Sequence, residues 1–536
     1  MRQPLPRPDA VTTLAERAGL AGAARASAIE AVLARAREAG LAQVRIAWGD
    51  LHGTFRGKTV VLEGVDARTL RGAFDEGIGL VSTILLKDTS DRTAFKVFDP
   101  EAPVALPGFR GANNLFLLPD PASFVVLPWT KEGAGEHSPA RTGWLRAEPF
   151  FPDGSEVAID PRRALQRALA ALAGEGFGLV CGLEVEFHIW RIEDDALAAA
   201  EAAWPAEPPA VRLLHPGYNL LAENWTDLAH EALALVRDNA LALGLPLRSL
   251  EVELGPSQFE AVFGVTDALT AADQVLLFRN GIRQALRRAG YHVSFVCRPP
   301  LPNAIASGWH LHHSLTSLAD GGNAFRREGR AGREYGEGGE GGVGGEGRAP
   351  RADAGADARS ARQVLSDTGA HWLAGLLAHA RGMAALCAPT LPAYSRYQGS
   401  VMAPQAALWG RDNRGAMLRV LGEPGEAATR IENRLGEPMA NPYLYIAAQV
   451  LAGLDGLSRR LEPPPGTETP YAAAPVMLPT SLGEALDALA ADEVMQQGLG
   501  APLALLIETV KQQELTRHAA AEDRQAWLRR EYFGRY

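Results

Sequence analysis

Cysteine is scarce: only Cys181, Cys297 and Cys387 occur in a chain of 536 residues. They are far apart and odd in number, which argues against a disulfide framework and for a reducing compartment. Each sits in apolar surroundings, where cysteine serves as a small buried hydrophobe. Long apolar runs are missing too. None approaches the roughly 20 residues that cross a bilayer as a helix, so no membrane partner is expected. No basic block offsets the net charge of −10, which argues against a nucleic-acid partner, since such partners need clustered Lys and Arg. Residues 1–41 are rich in Ala and Arg, but Asp9, Glu16, Glu30 and Glu38 interrupt them, unlike a transit peptide. No hydrophobic signal core precedes a cleavage site. The stretch reads as a helical surface extension, and the expected location is cytoplasmic.

What is present is the composition of a folded globular protein, 47% apolar and 22% charged, long enough for more than one domain. Residues 42–142 read as a small domain of short strands. Val44–Trp48 and Thr59–Leu62 flank a turn at Gly49–Gly53, and Asn114–Asp120 and Phe124–Pro128 add two short apolar runs. Glu132–Thr142 has linker composition. Residues 143–536 read as one large domain in which strands and helices alternate. Asp160 with Pro161 marks a helix start running through Leu172. Strands are expected at Leu179–Trp190, Leu247–Leu254, His292–Cys297 and Gly308–Leu315. Helices are expected at Thr226–Leu243, Asp267–Ala289 and Gln363–Ala385. Residues 326–362 hold almost no apolar side chain and read as a disordered, glycine-rich insertion. No strand leads into those glycines and no Lys-Ser/Thr follows them, so they do not form a phosphate-cradling loop.

Chemistry gathers in four segments. Glu184-Val185-Glu186 lies within an apolar strand, so both carboxylates face one side. Glu253 and Glu260 bracket a Gly-Pro bend. His310-Leu311-His312 repeats the same-face spacing and runs on to His313 and Ser314. Arg430-Ile431-Glu432-Asn433-Arg434 sets two guanidiniums and a carboxylate on one side. Any one of these also suits a solvated strand face or a hydrogen-bonded core. Together, five carboxylates and a histidine on strand segments suit hard divalent cations held mainly by oxygen; zinc fits less well, because no Cys pair is at hand. Arg396, Arg414, Arg419, Arg430 and Arg434 add forks that bind carboxylate and phosphate. Metal-binding carboxylates plus arginines are what phosphoryl transfer from a nucleotide requires.

The order of these motifs resembles the glutamine synthetase family over nearly the whole chain from residue 42. The match runs through Gly182–Phe187, Glu253–Glu260, Ser307–Leu315, Trp409–Arg414, Arg430–Arg434 and Ala440–Leu444. The resemblance implies an α+β fold: a β-grasp-like amino-terminal domain and a catalytic domain on a curved antiparallel sheet flanked by helices. It implies a homo-oligomeric ring, a dodecamer, and ATP with two or more Mg2+ or Mn2+ ions per site. By motif position, Glu186, Glu253 and Glu260 would hold one metal, and Glu184, His310 and Glu432 the other. His312, Ser314, Arg419 and Arg430 would bind the nucleotide, and Arg396 the α-carboxylate of a glutamate-like acid. Arg414 and Arg434 would stabilise the transferring phosphoryl group, with Tyr218 beside the amine site. The implied reaction makes an acyl phosphate, which an amine then converts to an amide.

The small-substrate end departs from the family. Ammonia-using members carry a glutamate on the loop after the substrate arginine; here Met402 stands there, and it can neither attract ammonium nor accept its proton. Ile305-Ala306 replaces Asn-Gly beside the substrate amino group, Pro392-Ala393 replaces Asn-Ser, and Ser257 replaces a glycine. This pattern resembles the γ-glutamyl-polyamine and γ-glutamyl-monoamine synthetase branch, with an organic amine as acceptor. Two alternatives stay open: authentic glutamine synthesis from ammonia, and a non-catalytic ring.

Overall fold

A computed structural model describes residues 12–62, 68–99, 106–130, 141–328, 360–398, 402–472 and 476–536. Two sheets organise them. The amino-terminal sheet is built from β1 (Gln43–Gly49), β2 (Phe55–Val61), β3 (Ile78–Val81), β4 (Asn114–Pro119), β5 (Val125–Val126) and β6 (Thr142–Phe150). Its order is β2-β1-β6-β4-β3, with β1 and β6 parallel at the centre. The turn between β1 and β2 is the one expected at Gly49–Gly53. β6 begins at the boundary expected at 142. It is buried along nearly its whole length and lies inside the small sheet, so that sheet extends to Phe150. The linker expected just before it falls almost wholly outside the described residues, as does the bulk of the glycine-rich insertion.

The second sheet follows β7 (Phe177–Asp194), its longest strand. To it are added β8 (Ala210–Leu213), β9 (Leu247–Val252), β10 (Gln258–Phe263), β11 (Thr266–Asp267), β12 (Tyr291–Ser294), β13 (Trp309–Ser317), β14 (Trp409–Arg411), β15 (Leu418–Leu421) and β16 (Arg430–Gly436). The order β14-β15-β16-β13-β7-β10-β9 is antiparallel except between β14 and β15. Helices Pro161–Gly174, Ala268–Arg288 and Pro442–Ser458 carry buried apolar residues against this sheet and each other. Pro161–Gly174 starts as expected, with the Asp160 side chain accepting from Arg162 N–H. Two expected helices are divided. Thr226–Leu243 is Glu223–Leu228 followed by His230–Ala242, and Gln363–Ala385 keeps a long helix only over Asp367–Ala378.

Buried charge ties the two sheets together. Arg162 pairs with Asp273 at 2.9 Å and with Glu148 of β6, while Arg146 of β6 reaches Asp120 and Asp273. From the other end of the chain, Arg517 meets Asp88 at 3.1 Å and Glu531 at 2.8 Å.

Candidate active site

Strand register assembles the site. Across β9, β10 and β7 it aligns Glu251, Glu260 and Glu186; across β13 and β7 it aligns His310 with Glu184. Across β15, β16 and β13 it aligns Arg419, Glu432 and His312. Directly opposed residues on paired strands are side-chain neighbours, so segments distant in sequence meet as one charged floor. Its centre is His310, whose Nδ1 lies 3.3 Å from Glu184, 3.8 Å from Glu432 and 4.0 Å from Glu260, while Nε2 lies 3.8 Å from Glu186.

Three sets of potential ligand atoms lie within 4.8 Å of one another: Glu184–His312–Glu432, Glu184–Glu260–His310 and Glu251–Glu253–Glu260. Among the described residues, five of the six expected ligands fall in these sets, grouped differently from the expected trios. Glu251 and His312 join, and Glu186 lies beside them, 3.8 Å from His310, its carboxylate accepting from Gly308 N–H at 3.0 Å and from Gln258 Nε2 at 3.2 Å. Glu251-Val252-Glu253 repeats the spacing of Glu184-Val185-Glu186, a visible pattern that would have found it. Gln258 sits within the quoted motif, yet its support of Glu186 shows only in three dimensions.

Crowding sets the electrostatics. Burial, then the neighbouring Glu253, pushes Glu186 up to about 7. Burial, followed by Glu186 and Glu184, pushes Glu260 up to about 10. Burial also raises Glu184, but hydrogen bonding to His310 and His312 outweighs it and holds that carboxyl well below its usual range. His310 is driven down to about 4 by burial and by Arg434, and its buried Nε2 makes no hydrogen bond. Carboxylates that resist sharing one space, with an unbonded imidazole nitrogen among them, fit a hard divalent cation, which would restore their ionised forms.

The floor opens into a cavity of about 550 Å³ lined by Glu184, Glu186, Glu253, Glu260 and His310 together with Arg396, Arg414, Arg419, Arg434, Ala306 and Met402. Arg396 is buried and donates to the Arg434 carbonyl at 2.9 Å. Glu432, fully buried, pairs with Arg434 at 2.5 Å and Arg419 at 3.0 Å. A second cavity of about 640 Å³ is lined by His312, Ser314 and Arg430, with Arg430 Nε 3.2 Å from His312 Nδ1. Glu184 borders both cavities. Of the expected nucleotide residues, Arg419 thus lies on the first cavity and the other three on the second.

Tyr218 lines neither cavity. It is largely exposed and donates to the Asn303 carbonyl at 3.0 Å. Its neighbours Leu220 and Leu221 line the first cavity instead, together with Leu254, Ile305, Ala306 and Met402. Gly217 makes this possible: its φ is +74°, and a Cβ there would stand 2.4 Å from Pro256 N, so only glycine lets this loop settle on the Gly255-Pro256 bend.

The glutamine synthetase catalytic-domain model matches residues 158–345 and 352–532. The chain belongs to the glutamine synthetase family, and it is a ligase that forms carbon–nitrogen bonds. It is 32% identical over 523 residues to a γ-glutamylanilide synthase from an Acinetobacter species, covering 94% of this chain and 95% of that one. It is 31% identical to the γ-glutamylethanolamide synthetase GlnA4 of Streptomyces coelicolor, covering 70% of each chain. A solved GmaS–ADP complex superposes with a TM-score of 0.68 at 26% identity, covering 93% of this chain and 98% of that one. The expected α+β architecture is borne out. Among the described residues no helix is long and apolar enough to cross a membrane.

Proposed function

We propose that the protein joins the γ-carboxylate of glutamate to an uncharged aromatic amine, driven by ATP. The observation that carries this is the contrast within one cavity: a complete carboxylate–arginine floor beside an acceptor wall of Leu220, Leu221, Leu254, Ile305, Ala306 and Met402. Ammonium and alkylammonium ions are cations that must lose a proton before they attack, and a carboxylate helps them do so. An arylamine is already neutral, because its lone pair is delocalised into the ring, and it needs apolar contact instead of an anion. The resemblance to a γ-glutamylanilide synthase supports the same class.

In this reading His312, Ser314 and Arg430 hold the nucleotide in the second cavity, so that its terminal phosphate passes Glu184 into the first, where Arg419 meets it. Arg396 takes the α-carboxylate of glutamate, and its burial fixes the guanidinium in place. The γ-carboxylate attacks the terminal phosphorus; the bond to ADP breaks and an acyl phosphate forms. Arg414 and Arg434 stabilise the negative charge on the transferring oxygens. Magnesium or manganese ions held by Glu184, Glu186, Glu253, Glu260, His310 and Glu432, with Glu251 added, would neutralise phosphate charge in the same step. The amine nitrogen then attacks the acyl carbon, phosphate leaves, and the nitrogen gives up a proton. We further propose a cytoplasmic ring of identical subunits, a dodecamer, whose mass sedimentation would report.

The test is ADP release and amide formation with glutamate and a panel of aniline, alkylamines, polyamines and ammonium. Aniline should lead. Ammonium outperforming every amine would overturn the reading.

A further inference from the structure

Met402 is held by its backbone from two sides. Its φ of +67° is a left-handed conformation that methionine keeps only when neighbours impose it. The Met402 N–H donates to the Tyr471 hydroxyl at 2.7 Å, and its carbonyl accepts from Arg434 Nη2 at 3.3 Å. Arg434 belongs to the floor, whereas Tyr471 comes from a separate strap, residues 464–472. That strap is fastened along β14. The Thr467 N–H donates to the Trp409 carbonyl at 2.9 Å, and Trp409 Nε1 donates to the Pro464 carbonyl at 2.7 Å. Asn413 Nδ2 donates to the Thr467 carbonyl at 3.2 Å. The tyrosine ring packs over Gly415, where a Cβ would stand 3.0 Å from its hydroxyl and 3.1 Å from ring carbon Cε2. One phenol therefore touches both the segment that carries Met402 and the segment that carries Arg414.

We propose that Tyr471 is a positioning residue for the acceptor: by bonding the Met402 peptide to an anchored strap, it holds the apolar side chain at the cavity mouth and decides whether amine or water reaches the acyl phosphate. Tyr471 is absent from the lining of the first cavity and acts through Met402. The proposal rests on the amine-ligase reading above. An acyl phosphate reacts with whichever nucleophile arrives. Attack by amine nitrogen expels phosphate and leaves the amide. Attack by water expels phosphate and returns glutamate, so ATP is consumed without product. Exclusion of water is therefore a matter of geometry at this wall.

Tyr471→Phe removes only the hydroxyl. One lost hydrogen bond of ordinary strength is worth about a fivefold change, expected here as a rise in the KM for the amine. The amide formed per ADP released should fall, with the KM values for ATP and glutamate unchanged. In a Met402→Ala background the same substitution should have little further effect, because the side chain it positions is gone. An unchanged amine KM and amide-to-ADP ratio would overturn the proposal. So would a loss of kcat alone at constant ratio, which is what a purely structural tyrosine would give. If the wild-type enzyme formed no amide from any amine, the functional reading itself would fall, and the proposal with it.

Discussion

The two ends of the main cavity are built by different means. The floor stands on paired strands: Glu184 and Glu186 on β7, His310 on β13, Glu260 on β10 and Glu432 on β16 are placed by hydrogen-bonded register. The acceptor wall stands on connecting segments, around residues 214–222, 303–306 and 402–403, whose shape depends on Gly217, Tyr471 and other local contacts. Strand register fixes charge to within a fraction of a residue spacing, which phosphoryl transfer demands, whereas connecting segments can change side chains without disturbing it. The charged floor is thus held by strand register, while the wall can change side chains without disturbing it.

Breaking the floor should have the largest effect. Glu432→Gln removes the charge that both Arg419 and Arg434 bind, in a side chain with no solvent exposure. Loss of preorganised electrostatics at such a position costs about a hundred- to a thousandfold in kcat, readable as ADP release. Manganese affinity by calorimetry should fall in parallel. Changing the wall should instead redirect the enzyme. Met402→Glu supplies an anion at the acceptor end and should raise the ratio of ammonium to aniline use by about tenfold or more, with ATP affinity unaltered. A drop in activity with both acceptors alike would show that wall and floor are not separable.

Outside both ends, Asp273→Ala leaves Arg162 without one of its carboxylates beneath the sheet junction. Breaking one side of such a pair costs about 3 kcal/mol, measurable by denaturant unfolding, and the acceptor preference should not move. The smallest effect concerns His379. Its ring nitrogens lie 2.8 Å from Asp492 and 3.0 Å from Asp455. Burial lowers the imidazole, but hydrogen bonds to the two aspartates outweigh it and raise it above its ordinary 6.5. The folded state therefore binds this proton more tightly than the unfolded chain. That contribution to stability is complete below the ordinary histidine value and disappears as pH rises through the raised one. His379→Gln should flatten the decline of melting temperature across that window and leave the amide-to-ADP ratio untouched.

The floor was legible in the sequence because period-two spacing of Glu and His in apolar strands survives folding unchanged: residues 179–190 were expected extended, and β7 contains them. The capped start at Asp160-Pro161 was equally local and equally readable. The wall was not. Leu220, Leu221 and Leu254 show no periodicity, and they acquire a role only once Gly217 lets its loop fold onto the Pro256 bend. β6 carries no such signal, because its buried Arg146 and half-buried Glu148 are held by ion pairs to residues outside the strand. No glycine or proline marks the division of the helix at Ala229, which is buried at 1% exposure. The long helix ends before His379, where the ring turns to the aspartates.

The separation of charged floor from apolar wall is tested most directly by competition in one vessel. Purified enzyme would be given glutamate, ATP, aniline and ammonium at equal concentrations, and γ-glutamylanilide and glutamine would be quantified by mass spectrometry. The anilide should dominate at neutral pH, where aniline is neutral and ammonia is almost wholly protonated, and glutamine should gain share only as rising pH strips the proton from ammonium. Glutamine as the main product would contradict the assignment of this wall to an uncharged amine.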